Sequence, residues 1–315
     1  MGQRDYQGDI AGALGCLQGT TPASPRGVSL LVEGGGVRGF FAAGVLKCLI
    51  DEGVRLPYVV GVSSGALNAV RYAAGKPEVD VEAICAAAKP FLNPAGIVRP
   101  ELGVFRTGPL LDAILDGCWE RLVTGGCELR VPATDAETGE LVWWGNDDFV
   151  GGPERLRDRV AASASIPFLM PVARVDGRVY ADGGIRDSIP IDRAEADGFR
   201  RHVLILSRPR GYVKGRQHLE LYLRKVLAPY PRLKVAMLAR HIRYNESARR
   251  AERLEDEGRA FVFRMSETRV GRFELSPEKM GLAYEDGYAL AKERMADLQR
   301  WLAQGEPGGD AVTRT

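Results

Sequence analysis

Val28-Ser29-Leu30-Leu31-Val32-Glu33-Gly34-Gly35-Gly36-Val37-Arg38-Gly39 opens the regular part of the sequence, and Tyr58-Val59-Val60-Gly61-Val62-Ser63-Ser64-Gly65 follows it closely. In the first stretch an apolar run ends at glycines, after which residues 40–50 carry apolar side chains at helical spacing until Gly53 stops them. The second stretch repeats the unit: an apolar strand at 58–62, a turn at 63–65, and a helix at 66–74 closed by Gly75. Two adjacent strand-turn-helix units predict an α/β fold with a parallel sheet and crossover helices.

Working outward, residues 128–133 and 141–144 read as strands that pair across the turn-rich Asp135, Thr138 and Gly139. Residues 155–164 have helical spacing and stop at Pro167. Residues 172–180 split around Asp176-Gly177, a two-residue hairpin signal that leaves Asp182 just past the second strand. Residues 202–206 give another buried strand; beyond Arg208 the pattern is helical, with one strand at 261–264. The expected organisation is a loosely ordered lead-in at 1–27, a main α/β domain at 28–208, a mainly helical extension at 209–303 packed on it, and a frayed tail at 304–315.

Composition narrows the classes. Hydrophobic residues at 45% and charged residues at 27% are those of a soluble globular chain, and 43 Lys plus Arg against 41 Asp plus Glu give no global case for nucleic acid as a partner. Five cysteines, Cys16, Cys48, Cys85, Cys118 and Cys127, never fall as CxxC, so neither a disulfide framework nor a metal site is expected, and a reducing compartment fits. The start, with Asp5 and Asp9, lacks a basic-then-apolar leader. The most apolar stretch, residues 56–70, is broken by Pro57 and Asn68 and is too short to span a bilayer. The expectation is a cytoplasmic protein, docking peripherally at the inner membrane face.

The glycine turn admits two readings. Gly34, Gly36 and Gly39 satisfy GxGxxG, a dinucleotide fingerprint that asks for a carboxylate at the end of the second strand. That strand ends in Gly61-Val62-Ser63, with none. In the other reading, Gly34, Gly35 and Gly36 leave backbone N–H groups bare at the positive end of a helix, a cradle for an oxyanion. A tight turn alone accounts for one or two glycines, not three in a row and a fourth.

The second turn is GxSxG, with Gly61 and Gly65 flanking Ser63. Small neighbours permit the strained strand-to-helix turn that presents one hydroxyl at the end of a sheet. A serine capping the helix is the plain alternative. The position after a buried strand, before a helix and beside a second glycine-rich turn favours the nucleophile. A serine needs a base, and the three histidines, His202, His218 and His241, sit in a strand and in basic helical patterns that read as structural. A carboxylate is then the base, and Asp182 in Ala181-Asp182-Gly183-Gly184 is the candidate, although Asp-Gly is also an ordinary turn. Arg38 either helps hold the glycine turn, favours an anionic substrate group, or makes a plain surface salt bridge.

The blocks 33–39, 61–65 and 182–184, in this order, resemble the signature blocks of the patatin-like phospholipases, and Ala162-Ser163-Ala164-Ser165-Ile166-Pro167 resembles a further block ahead of that family's aspartate. The resemblance covers residues 28–192. It implies a three-layer α/β/α sandwich with a mostly parallel central sheet, a Ser63–Asp182 dyad working through an acyl-enzyme, an oxyanion hole at Gly34 to Gly36, and supporting roles for Arg38, Gly39, Gly61, Gly65, Gly183 and Gly184. It also implies a lipid or related ester as substrate and no cofactor. Glu33 stands where many members have Asp, a mild departure. Arg243-Tyr244-Asn245 and Phe261-Val262 are similar to the extension of a bacterial subgroup. Acyl transfer by the same dyad, and a catalytically silent lipid-binding regulator, are the alternatives to hydrolysis.

In residues 208–243, ten basic residues, the first Arg208 and the last Arg243, stand against one acid, Glu220. Leu219, Tyr222, Leu223, Val226 and Leu227 recur there at helical spacing. Peripheral contact with an anionic membrane surface is one expectation for this segment; a helix packed on the catalytic domain with a solvated basic face is the other.

Overall fold

The computed structural model describes residues 27–80, 84, 108–167, 169–216, 227–267, 271, 274 and 276–304. Residues 1–26 of the expected lead-in, residues 305–315 of the expected tail, and the apolar stripe at 219–226 lie outside these residues. The strands are β1 (Val28–Val32), β2 (Tyr58–Gly61), β3 (Glu128–Asp135), β4 (Leu141–Gly145), β5 (Ala173–Val175), β6 (Arg178–Asp182), β7 (Arg201–Leu206) and β8 (Ala260–Arg264). The helices are α1 (Gly39–Asp51), α2 (Ser64–Ala73), α3 (Gly108–Leu115), α4 (Cys118–Thr124), α5 (Asn146–Phe149), α6 (Pro153–Ala164), α7 (Ile191–Ala196), α8 (Pro231–Asp256), α9 (Pro277–Glu293) and α10 (Met295–Ala303).

All eight strands join one sheet, ordered β5-β6-β3-β2-β1-β7-β8 with β4 on β3. From β3 through β2, β1 and β7 to β8 the pairs are parallel, as the two strand-turn-helix units require; β4, β5 and β6 run antiparallel at the other end. Alternate side chains of a strand face opposite ways. Leu30 and Val32 therefore enter a large cluster with α1, α2, α6, α9 and α10, while Leu31, Val60 and Leu204 enter a second cluster with α7 and α8. Because both faces are covered, the central strands read as unbroken apolar runs rather than alternating ones. This is the mostly parallel, helix-flanked sheet that the resemblance implies.

One detail of pairing positions the site. Arg130 of β3 has both Val60 of β2 and Gly145 of β4 as partners, so those strands lie on opposite edges of β3. Ala133 has both Asp182 of β6 and Val142 of β4, so β6 also lies opposite β4. Hence β2 and β6 share one edge of β3, β6 taking over where β2 leaves it. The antiparallel end of β6 thereby meets the parallel end of β2.

The extension is built into this frame. Past Arg208 the chain contributes β8 to the sheet edge and α8 to the second layer, and α9 crosses α1 in backbone contact. A Cβ at Gly44 would overlap the Tyr284 carbonyl, and one at Gly287 the Phe41 carbonyl. Gly44→Ala is therefore expected to lower the free energy of unfolding in urea by about 2 kcal/mol through overpacking. Gly281→Ala, on the same α9 with open space around it, should raise it by roughly 1 kcal/mol through helix propensity.

Candidate active site

Ser63 stands between β2 and α2 with φ +57° and ψ −124°, a conformation that L-residues avoid; among the described residues only Asp176 shares a positive φ without being glycine. The turn is tight because its flanks lack side chains. A Cβ at Gly61 would overlap the Gly65 carbonyl, and one at Gly65 the Val32 carbonyl. A bulky side chain at either place would push the elbow off the end of β1.

The strained turn aims the hydroxyl at Asp182, the last residue of β6. Ser63 Oγ donates to Asp182 Oδ2 at 2.6 Å, and the other carboxylate oxygen accepts from the Gly184 N–H at 2.7 Å. Ser63 is 6% exposed and Asp182 is fully buried, so this charge-assisted bond lies largely out of water. Gly183 has no room for a side chain, since a Cβ would stand 2.6 Å from the Pro132 carbonyl oxygen of β3. The backbone of Asp182 is fixed on both sides: its N–H donates to the Ser165 carbonyl at 2.8 Å, and its carbonyl accepts from Thr134 Oγ1 at 2.9 Å. Two residues earlier, Ser163 Oγ accepts from the Ser63 N–H at 3.1 Å. The segment 162–167, a resemblance without a role in the sequence, thus ties Ser63 and Asp182 to the end of α6.

The glycine turn lies against the same point, a Cβ at Gly34 falling 3.1 Å from Ser63 Cβ. Its amides differ in availability. Gly34 N–H points to the Ser188 carbonyl at a long 3.4 Å, and Gly35 N–H donates to Ser64 Oγ at 3.0 Å. The Gly36 N–H makes no hydrogen bond among the described residues, and φ there is +61°. Gly39 packs on Ser64, and its carbonyl accepts from Asn68 Nδ2 at 2.8 Å.

Arg38 is not at the surface, contrary to the salt-bridge alternative; it is 2% exposed, with Nε donating to Ser207 Oγ at 3.3 Å beyond β7. Glu33 is buried too. Its Oε2 accepts from the Ser207 N–H at 2.5 Å and its Oε1 from the Tyr244 hydroxyl of α8 at 3.0 Å. Burial and the adjacent Glu33 push the Tyr244 hydroxyl well above the ordinary tyrosine value.

The two described histidines, His202 and His241, stand apart from this site. His202 is buried at the far end of β7, its Nδ1 within 2.8 Å of Ser29 Oγ at the start of β1. His241 contacts the Leu238 carbonyl within α8, and His218 lies outside the described residues. No group of three or more His, Cys, Asp or Glu that could hold a metal occurs among the described residues, and no helix among them is long and apolar enough to cross a membrane.

The basic segment is divided. Arg240 is buried beside Gly184, Arg210 pairs with Glu255 and Asp256, and Lys214 lies over the Tyr244 ring at 3.9 Å. Leu227, the one residue of the apolar stripe that is described, is buried against β6 and α8. Arg224 and Lys225 lie outside the described residues.

Comparison with known proteins places these residues in a family frame. The model of the patatin-like phospholipases matches residues 30–195, and that of a domain of unknown function, DUF6363, matches residues 230–303. An uncharacterised NTE family protein of Mycobacterium tuberculosis H37Rv is 32% identical over 181 residues, covering 54% of this chain and 45% of that one. The uncharacterised protein YjjU of Escherichia coli K12 is 29% identical over 205 residues, covering 60% and 54%. A lysophospholipase of Yarrowia lipolytica is 25% identical over 191 residues, covering 56% of this chain and 12% of that protein. The chain thus spans about half the length, or less, of the curated relatives that it matches.

Two measurements follow from this geometry. Ser63→Gly and Ser63→Ala both delete the hydroxyl, but only glycine relaxes the positive φ, so the glycine variant should be the more stable by about 1 kcal/mol or more in thermal unfolding. Burial and the nearby Arg259 and Arg250 charges lower His202 from 6.5 to about 4. The unfolded chain therefore takes up this proton first, so stability is full above pH 6.5 and is lost as the pH falls toward about 4. Urea titrations across this window should show a shallower loss in His202→Asn.

Proposed function

Since the chain belongs to the patatin-like phospholipase family, whose model takes in residues 30–195, we propose that it is a serine acyl hydrolase cleaving lipid-type carboxylic esters with Ser63 and Asp182. The observation that carries this reading is the buried 2.6 Å bond from Ser63 Oγ to Asp182 Oδ2. A serine already donating to a carboxylate has its proton acceptor in place before any substrate arrives.

In the first half-reaction Ser63 Oγ attacks the ester carbonyl carbon while its proton passes to Asp182 Oδ2. The carbonyl oxygen becomes an oxyanion held by the glycine turn and the N-terminal end of α2. Gly36 N–H is the ready donor, and Gly35 N–H joins when Ser64 Oγ rotates away from it. The carbon to leaving-oxygen bond then breaks, and the proton on Asp182 goes to the departing alcohol. In the second half-reaction water attacks the acyl carbon, gives its proton to Asp182, and releases the fatty acid as Ser63 Oγ takes the proton back. The positive φ of Ser63 and the hydrogen bond from its N–H to Ser163 Oγ keep the hydroxyl in line, so little reorganisation precedes attack. The relative named as a lysophospholipase supports fatty acyl esters of glycerolipids as the substrate class.

A fluorophosphonate probe should label the wild type and leave Ser63→Ala unlabelled. Asp182→Asn, which keeps the shape but cannot accept the proton, should lower kcat on a p-nitrophenyl acyl ester by about 10⁴-fold. An unlabelled wild type, or an Asp182→Asn enzyme as fast as the wild type, refutes the dyad.

A further inference from the structure

We infer that the C-terminal region works as part of this active site: α8 fixes the loop of the proton-accepting carboxylate through Arg240 and the glycine turn through Tyr244, making both positioning residues for the ester reaction. The inference rests on the Ser63–Asp182 reading above and gives a role to the region that matches a domain of unknown function.

Asp182 uses one carboxylate oxygen for Ser63 and the other for the Gly184 N–H. The rotation of the carboxylate, and with it the direction of Oδ2, therefore follows the place of Gly184. Gly184 has no side chain with which to pack, so its buried carbonyl is its other anchor. That carbonyl accepts from Arg240 Nε at 2.7 Å and from Ser188 Oγ at 2.9 Å. Ser188 belongs to the same loop as Gly184 and moves with it. Arg240 comes from α8, whose Leu233, Ala236 and Met237 pack on Val179, Ala181 and Ile185 around β6, so it ties the loop to a fixed element. Arg240 is 5% exposed; burying a guanidinium is costly unless its hydrogen bonds are used, and here one is directed at the site.

Four residues along, hence on the same face of α8, Tyr244 donates to Glu33 Oε1 at 3.0 Å. Glu33 is the last residue before the glycine turn, and its second oxygen holds the Ser207 N–H at the end of β7. Tyr244 is itself held, edge-on to Tyr212 at 6.0 Å, while its neighbour Asn245 bonds both backbone groups of Lys214. One face of one helix thus fixes the two loops whose separation sets the distance from carboxylate to oxyanion cradle.

The test uses the full chain, p-nitrophenyl ester hydrolysis and the rate of fluorophosphonate labelling. Arg240→Ala should lower kcat by about 10- to 100-fold, the scale expected of a small misplacement of a reacting group, with KM within about twofold and the labelling rate falling in step. Arg240→Lys should recover part of the loss, and Tyr244→Phe should lower kcat several-fold with KM unchanged. Arg210→Ala removes exposed ion pairs from the same helix and should keep the wild-type kcat. If Arg240→Ala does not fold, Arg240→Lys and Tyr244→Phe decide. Folded variants with wild-type kcat and labelling rate overturn the inference, as does an Arg210→Ala loss as large as theirs. A wild type that neither hydrolyses esters nor reacts with the probe brings down the dyad itself, and this inference with it.

Discussion

A β-strand has only two edges, and β3 lends one of them to two partners in succession. β2 occupies it as far as Arg130, and β6 occupies it from Ala133 onward, coming from the opposite direction. A parallel strand running out and an antiparallel strand running in must meet end to end there. One meeting end carries Ser63 and the other Asp182, so a bond between residues 119 apart in sequence is imposed by backbone pairing before side chains choose rotamers. Everything else at the site refines that encounter.

The refinements are mostly backbone hydrogen bonds to short side chains. Ser163, Ser64, Ser188, Ser207 and Thr134 each join one loop to another or close a loop on itself. Such groups suit a site to which no histidine among the described residues contributes. Buried polar atoms must find partners, and a short hydroxyl on a fixed strand or helix end finds one at little entropic cost. The charged members, Glu33, Arg38 and Arg240, are buried as well, and each spans a wider gap between elements. The extra methylene of Glu33 over an aspartate lengthens its reach toward Tyr244 of α8.

Much of this could be read in advance because the informative residues lie at element boundaries, where local rules are strict. The glycines around Ser63 announced a turn that side chains would block, and Asp176-Gly177 announced the hairpin that delivers Asp182. The contributions of α8 were not legible. Arg240 and Tyr244 lie in a pattern dominated by charge, where a buried guanidinium looks the same in sequence as a solvated one, and their partners are a backbone carbonyl and a glutamate 56 and 211 positions away. Counting Arg240 in a surface patch was the natural error, since nothing local marks which basic residue turns inward. Arg38 was ambiguous for the same reason.

The placing of β8 has a bearing on how such a chain comes into being. Its partner β7 is buried from Arg201 to Leu206, and one edge of β7 stays without a neighbour until residues 260–264 are made. A nascent polypeptide emerging from the ribosome would have Ser63 and Asp182 already outside the exit tunnel while that apolar edge remained open, the situation in which strands recruit the wrong company. Completion of the sheet, and with it a quiet surface, awaits the portion of the message that lies beyond the codon for Asp182.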